Sequence, residues 1–516
     1  MSILDRDNIV ADKSFNRWMV PPAALLIHLS IGMIYGFSIF WPELTMLIGS
    51  ECSSSVTFIE RVFTTSCDWL RSDVVWTFAI AIVFLGMSAA VFGHWLEKAG
   101  PRKAGFAAAV TWGGGLMIAS IGISLHQLWL IWIGAGVIGG IGLGLGYISP
   151  VSTLIKWFPD RRGLATGMAI MGFGGGAMIG MPLGDSLIST YGVAQTFFIM
   201  GIIYFIAMTI GAFGYRVPAN GWKPKNWNPS ITKTTNMISK NHVHVGVAHK
   251  TPQFWLLWGV LCLNVSAGIG VLSVAKPMFQ EIAASSFDPL IIGAIATGFG
   301  ALLSLANIIG RIFWASSSDF LGRKLTYAIF FSLGTALYLA APWAGLNQYI
   351  AAFVVITLVI LTMYGGGFAT IPAYLADIFG TQHVGAIHGR LLTAWSLAGI
   401  IGPMLISYLR EYQLALGIPT DQAYNASFKI LALLLVGGFI LNLLVKPVNK
   451  KFFMTDTELQ KEQGALKDRS AGRIISSSKT NTSLQKIILP LAWMLVGVPI
   501  ILGIFNALQK GIIIFL

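Results

Sequence analysis

One arginine stands inside an apolar stretch, where charge is costly. Arg311 closes the run Asn307-Ile-Ile-Gly310-Arg311 and lies eight residues before Asp319. On a helix rising ~1.5 Å per residue, that is about 12 Å deeper than Asp319. A charge at such depth costs about 2.5 to 3.5 kcal/mol on insertion scales, unless it snorkels to the headgroups or faces a wet cavity. In a cavity, a guanidinium suits a carboxylate, because its planar fork donates two parallel hydrogen bonds. Snorkelling is the plainer alternative.

Other polar-tipped residues share this depth. Tyr35, Tyr147 and Tyr364 fall mid-span, where an unpaired hydroxyl facing lipid is unfavourable. Phe368 follows Tyr364 by one helical turn on the same face. A pathway lining is one reading of these aromatics, and interhelix packing the other. His28 is the single titratable group available for proton coupling within a span, with a hydrogen-bonded packing histidine as the alternative. Glu43, Asp185, Glu281, Asp319 and Asp377 all fall near span ends. Lys276 reads as a second charge or an interfacial anchor, and His126 as a solvated turn residue. Cys262 reads as a small apolar residue. Cys52 and Cys67 share one loop and are expected to pair, against the alternative of two free thiols.

Several chemistries find no support. The runs Gly142-Leu-Gly-Leu-Gly and Gly172-Phe-Gly-Gly-Gly lack a preceding strand and a Lys-Ser/Thr, so they read as close helix packing and not as phosphate loops. No ATP-binding motif occurs. The three His of residues 215–250 have no Cys or acidic companions, so neither metal nor cofactor is expected. With no Ser/His or His/Asp/Glu cluster at a span end, an enzyme is the weakest reading.

The surrounding elements are set by composition. Of 516 residues, 55% are hydrophobic and 11% charged, against roughly 25% charged in a soluble domain. Mean hydropathy is +0.73. A net charge of +13 would fit nucleic acid, but the basic residues sit in short runs between apolar blocks, as in chains that cross membranes. Stretches of the ~20 residues needed to span a bilayer occur near 18–42, 74–95, 104–124, 128–154, 163–189, 194–214, 252–277, 289–317, 325–344, 347–376, 385–409 and 427–446. A further apolar stretch, 487–507, contains Pro490 and Pro499 and reads as a thirteenth span or as a helix lying on the surface. The charged start of the chain does not resemble a cleavable signal. With the N-terminus inside, cytoplasmic segments hold 27 of 34 Lys and Arg, which predicts an inner-membrane protein with a cytoplasmic N-terminus.

The chain also repeats itself. Glu97-Lys-Ala-Gly100-Pro-Arg102 and Asp319-Phe-Leu-Gly322-Arg323-Lys324 are offset by 222 residues, as are Pro150/Pro372, Gly163/Gly385, Gly167/Gly389 and Gly180/Gly402. This points to two six-helix halves with a site between them. The residue offset from Arg311 is Ala89, so the loop is duplicated and the arginine is not. In each loop glycine permits a tight turn, the acid is placed to cap a helix, and the basic residues are expected in cytoplasmic water.

These loops resemble the repeated signature of the major facilitator superfamily, with Glu97 in the usual Asp place. The run 142–177, together with Tyr35-Gly-Phe-Ser and Thr251-Pro-Gln-Phe-Trp255, resembles the oxalate/formate antiporter family. The resemblance covers about residues 18–446. It implies exchange or uptake of small carboxylates, with an arginine in an Asn-x-x-Gly/Cys-Arg context binding the carboxylate; Asn307 to Arg311 match that context. It also implies a lysine after Thr-Ala on the eleventh span for oxalate, where this chain has Trp395 after Thr393-Ala394. One arginine beside an aromatic suits a monoanion.

The expected fold is therefore an all-α, twelve-helix facilitator fold plus an extra C-terminal helix. Its parts are a cytoplasmic N-terminus (1–17), a first half (18–214), a basic linker (215–250), a second half (251–446), a charged segment (447–486) and an apolar helix (487–516). The expected function is gradient-driven transport of small carboxylate anions, monocarboxylates such as formate, lactate or pyruvate favoured over oxalate, by alternating access and exchange, by a monomer in the bilayer that binds no nucleic acid. A proton-linked monocarboxylate carrier is the nearest rival, and an anion sensor without flux is the rival from another class.

Overall fold

The computed structural model describes residues 3–12, 14–53, 56–63, 65–160, 162–219, 222–224, 239, 241–380, 382–460 and 482–515. Within helices, the side chains of residues 94, 97, 162–166, 169 and 482–484 lie outside this description, and with them the expected part of Glu97 in its loop. Among the described residues the protein is helical, with isolated bridges and no sheet.

Thirteen long helices follow one another in the described residues. The first half comprises α1 (Arg17–Ile39), α2 (Arg71–Ala99), α3 (Pro101–Ser124), α4 (Leu128–Trp157), α5 (Arg162–Tyr191) and α6 (Val193–Gly214). The second comprises α7 (Pro252–Ser273), α8 (Ile292–Leu321), α9 (Arg323–Leu346), α10 (Ile350–Phe379), α11 (Val384–Ala415) and α12 (Asn425–Leu444). The last is α13 (Thr482–Ile512). Local chemistry sets several starts. Thr251 caps α7 by accepting the Phe254 amide, with Pro252 in the first turn. Gly100 and Gly322 turn the chain between consecutive helices at φ of 89° and 84°, a region open to glycine.

The halves meet along two seams, α2 against α11 and α5 against α8, and α1 touches α7 at one end only. Bare backbone brings α1 and α5 together: a Cβ on Gly32 would fall 2.3 Å from the Phe173 carbonyl oxygen, and one on Gly176 would fall 2.3 Å from Gly32. Such approach maximises van der Waals packing where lipid offers no hydrophobic drive.

The end that gathers the N-terminus, Gly100, Gly322 and residues 241–250 is the basic end; the other is the far end. Two sequence expectations need correction at the basic end. Arg102 is not in water: it is 7% exposed and donates to the carbonyls of Ile3, Phe213 and Tyr215. Arg323 is likewise engaged, pairing with Asp319 and Ser318 and standing 3.7 Å from Asp377. Arg102 meets carbonyls at a helix end and in neighbouring loops, and Arg323 stands between two carboxylates, so pairing wins over solvation.

Two corrections belong to the far end. His126 is not solvated; it is 8% exposed, stacks on Trp69 at 4.0 Å and bonds the Cys67 carbonyl at 3.0 Å. A positive φ of 49° at His126 turns its ring back onto the loop. Lys276 is no interfacial anchor. The seventh span ends at Ser273, and Lys276 sits on a separate short helix, Ala275–Ile282, 7% exposed and paired with Asp185. The loop before α2 holds Cys52 and Cys67 bonded to each other, Cα atoms 4.9 Å apart, while Cys262 is free and buried. The apolar C-terminal helix runs beside α1, α5 and α8 from the basic end to the far end, and so does not lie flat on a surface.

Candidate functional site

The site is built from both halves. The first half brings His28 and Tyr35 on α1, Tyr147 on α4, and Phe173 on α5; the second brings Asn307 and Arg311 on α8, Tyr364 and Phe368 on α10, and Trp395 on α11. All are at most 2% exposed. At Gly32 the α-helical winding of α1 tightens into a 3₁₀ stretch through Ile39, which carries Tyr35.

Arg311 does not snorkel. Its Nε donates to Asn307 Oδ1 at 3.0 Å, one turn back on α8, and its Nη1 donates across the seam to the Ile170 carbonyl at 2.5 Å. The guanidinium carbon lies 5.8 Å from the Phe368 ring centroid. Gly174 clears the space, since a Cβ there would stand 3.1 Å from Arg311 Nε. Asn307, Ile170 and Phe368 are all neutral partners, and among the described residues no carboxylate pairs with Arg311. A buried cation without a counter-ion is a strong draw for an anion.

Around it the aromatics form a cage. Phe173 is the hub, with ring centroids 4.9 Å from Tyr35, 5.7 Å from Tyr147 and 5.4 Å from Trp395. Trp395 lies 4.5 Å from Phe368, which lies 5.4 Å from Tyr364. Tyr364 donates its hydroxyl proton to Tyr35 at 2.7 Å, joining the two halves. Arg311 is close enough to act electrostatically on Tyr35, Tyr147 and Tyr364.

The polar balance of the cage is one-sided. The Tyr147 hydroxyl, Asn307 Nδ2 and Trp395 Nε1 are buried with no partner in the protein. Each can donate. A group that only accepts, such as a carboxylate, matches three donors and a guanidinium. His28 packs beneath, Nε2 3.2 Å from the Tyr147 carbonyl and its ring 5.6 Å from that of Tyr147. Lys276 contributes no charge here, because its Nζ is 2.6 Å from Asp185 Oδ1.

Sequence reasoning missed Phe173. Its signal was its setting: it is the one bulky side chain in Gly172-Phe-Gly-Gly-Gly, so neighbouring helices approach it with nothing in the way. Also unforeseen was the seal at the far end. Arg71 of α2 reaches Glu281 at 2.7 Å and the Tyr424 hydroxyl at 2.9 Å, and Arg410 grips Glu281 with two bonds of 2.8 and 2.7 Å. The Ser72 amide donates to Glu411 and Trp41 Nε1 to the Ser273 carbonyl. Arg410 braces Glu281 within the second half; the other contacts, with Lys276 and Asp185, join the first half to the second and close the far end over the cage.

Comparison with known proteins places the architecture. The Major Facilitator Superfamily family profile matches residues 23–403 and, overlapping, 266–515. The chain belongs to the Major Facilitator Superfamily. It is therefore a multi-pass membrane protein of a transporter family. Superfamily relatives include the uncharacterized MFS-type transporter YhjX of Escherichia coli (strain K12), 25% identical over 74% of this chain and 86% of the relative. The oxalate:formate antiporter of Oxalobacter formigenes is 25% identical over 86% of this chain and 96% of its own. The apicoplast pyruvate carrier 1 of Toxoplasma gondii is 24% identical over 77% and 83%. The resemblance seen in residues 142–177 thus extends through most of the chain.

Proposed function

We propose that this protein is a secondary transporter of small carboxylate anions, working by alternating access and by exchange. The observation that carries the proposal is the buried Arg311, without a counter-ion among the described residues and set among three donors that have no partner there. A carboxylate entering the cage replaces the Ile170 carbonyl on the guanidinium and accepts from Tyr147, Asn307 or Trp395. Because the ligands come from both halves, one bound anion draws the halves together, and their rocking exposes it to one side or the other. The exchange mode draws on the oxalate:formate antiporter, and the monocarboxylate preference on the pyruvate carrier and on Trp395.

A single cation serves a monoanion. Formate, lactate and pyruvate are the favoured substrates over oxalate, whose second carboxylate would lie among rings without a counter-charge. The charge pattern of the loops supports a cell-membrane location with the basic end in the cytoplasm, which makes the far-end seal an outward gate. Counterflow into proteoliposomes loaded with unlabelled formate, using a panel of labelled carboxylates, tests the reading. Labelled monocarboxylates should accumulate, independently of an imposed pH gradient. Uptake that needs a proton gradient and no internal anion would replace exchange by symport, and binding without flux would replace transport by sensing.

A further inference from the structure

The helix α13 contributes nothing to the cage, yet its attachments are specific. Near the basic end it holds the first half: Gln485 Oε1 accepts from the Asn16 amide at 2.8 Å, and Trp493 Nε1 donates to the Trp18 carbonyl at 3.2 Å. Midway, a Cβ on Gly503 would stand 3.3 Å from Met178 of α5. Near the far end it holds the second half: a Cβ on Gly298 of α8 would fall 2.5 Å from Lys510 Cβ, and one on Gly511 would fall 2.3 Å from Leu302. From Gln485 to Lys510 the helix rises about 38 Å, enough to cross a bilayer. One continuous helix therefore begins on the first half, crosses the seam between α5 and α8, and ends on the second.

We propose that α13 is a strap that holds the far end closed and so sets the balance between the two access states. Opening the far end carries the start of α8 away from α1 and α5. A helix seated on α1 at one end and on α8 at the other cannot follow both. It must give up the close packing at Gly298 and Leu302, and the far-open state is disfavoured by that loss. The device requires alternating access but no particular substrate, so it stands or falls separately from the carboxylate reading.

Ser38 reports the far end without any substrate. It is fully buried, and its Oγ accepts from the Lys276 amide across the gate at 3.3 Å. In a Ser38→Cys chain, labelling by a membrane-impermeant maleimide from the far side measures opening, because Cys52 and Cys67 are bonded and Cys262 is buried. Stopping the Ser38→Cys chain after residue 480 should raise the labelling rate several-fold. So should Gly298→Leu in the full-length chain, which wedges the strap off α8. Equal rates with and without the strap overturn the proposal. If the shortened chain does not reach the membrane, the full-length Gly298→Leu chain decides: a faster rate supports the strap, and an unchanged rate removes it.

Discussion

Arg311 holds the Ile170 carbonyl and Asn307 with two different nitrogens, so shape as well as charge is in use. Replacement by lysine keeps the charge and loses the fork. We expect Arg311→Lys to retain transport at roughly a tenth or less of the wild-type rate, since a charged hydrogen bond contributes about 1.5 to 3 kcal/mol; initial rates of labelled formate exchange measure it. Trp395→Lys tests the one-cation argument. A second cation in a partly desolvated cavity should improve oxalate competition at least about tenfold, or ~1.4 kcal/mol. Inhibition constants for oxalate and formate should move in opposite directions; a wild-type protein that already prefers oxalate would defeat the argument. Arg311 was legible in the sequence because a charge inside an apolar run is conspicuous at once. Phe173 was not, because one phenylalanine among 32 carries no mark of which way it faces.

Among the elements, the loop before α2 is held by the Cys52–Cys67 bond and by Asp68, whose carboxylate accepts the amides of Ile48, Gly49 and Ser50. Closing a loop of about 15 residues contributes roughly 3 kcal/mol in the chain-entropy model. The Cys52→Ser, Cys67→Ser chain should therefore unfold at a lower temperature than wild type, and reductant should erase the difference. Two alkylated thiols in unreduced wild-type protein would show that no bond forms. At the far-end seal, burial raises the Glu281 pKa, but Arg71 and Arg410 outweigh it and hold the carboxyl below its usual range. A depressed carboxylate keeps its contribution above the unfolded value and loses it only as pH falls through the lowered one. Measured relative to a freely exposed cysteine at the same pH, which corrects for the thiolate fraction, labelling of Ser38→Cys should therefore be unchanged between pH 7.5 and about 5.5, whereas Glu281→Gln should speed it across that range. The span order was readable from twelve apolar stretches and a 222-residue repeat. The seal was not, because Arg71 and Glu281, or Asp185 and Lys276, are joined only by the packing of separate helices.

At the scale of the whole molecule, the two halves contribute unlike parts to one cage. Each supplies three rings of the aromatic wall, but the first adds the Ile170 carbonyl and the second the cation. That asymmetry lay in the sequence as the mismatch of Arg311 with Ala89. What the pattern of residues could not give was the closed far end and the course of α13, since both depend on which helix faces lie together. Labelled-formate counterflow in proteoliposomes, wild type beside Arg311→Gln at matched, correctly folded protein levels, tests the central claim most directly. Wild type should accumulate label and the variant should fall to the level of protein-free vesicles, because the anion alone loses its counter-charge. Equal counterflow by the two proteins would contradict the assignment of Arg311 as the anion anchor.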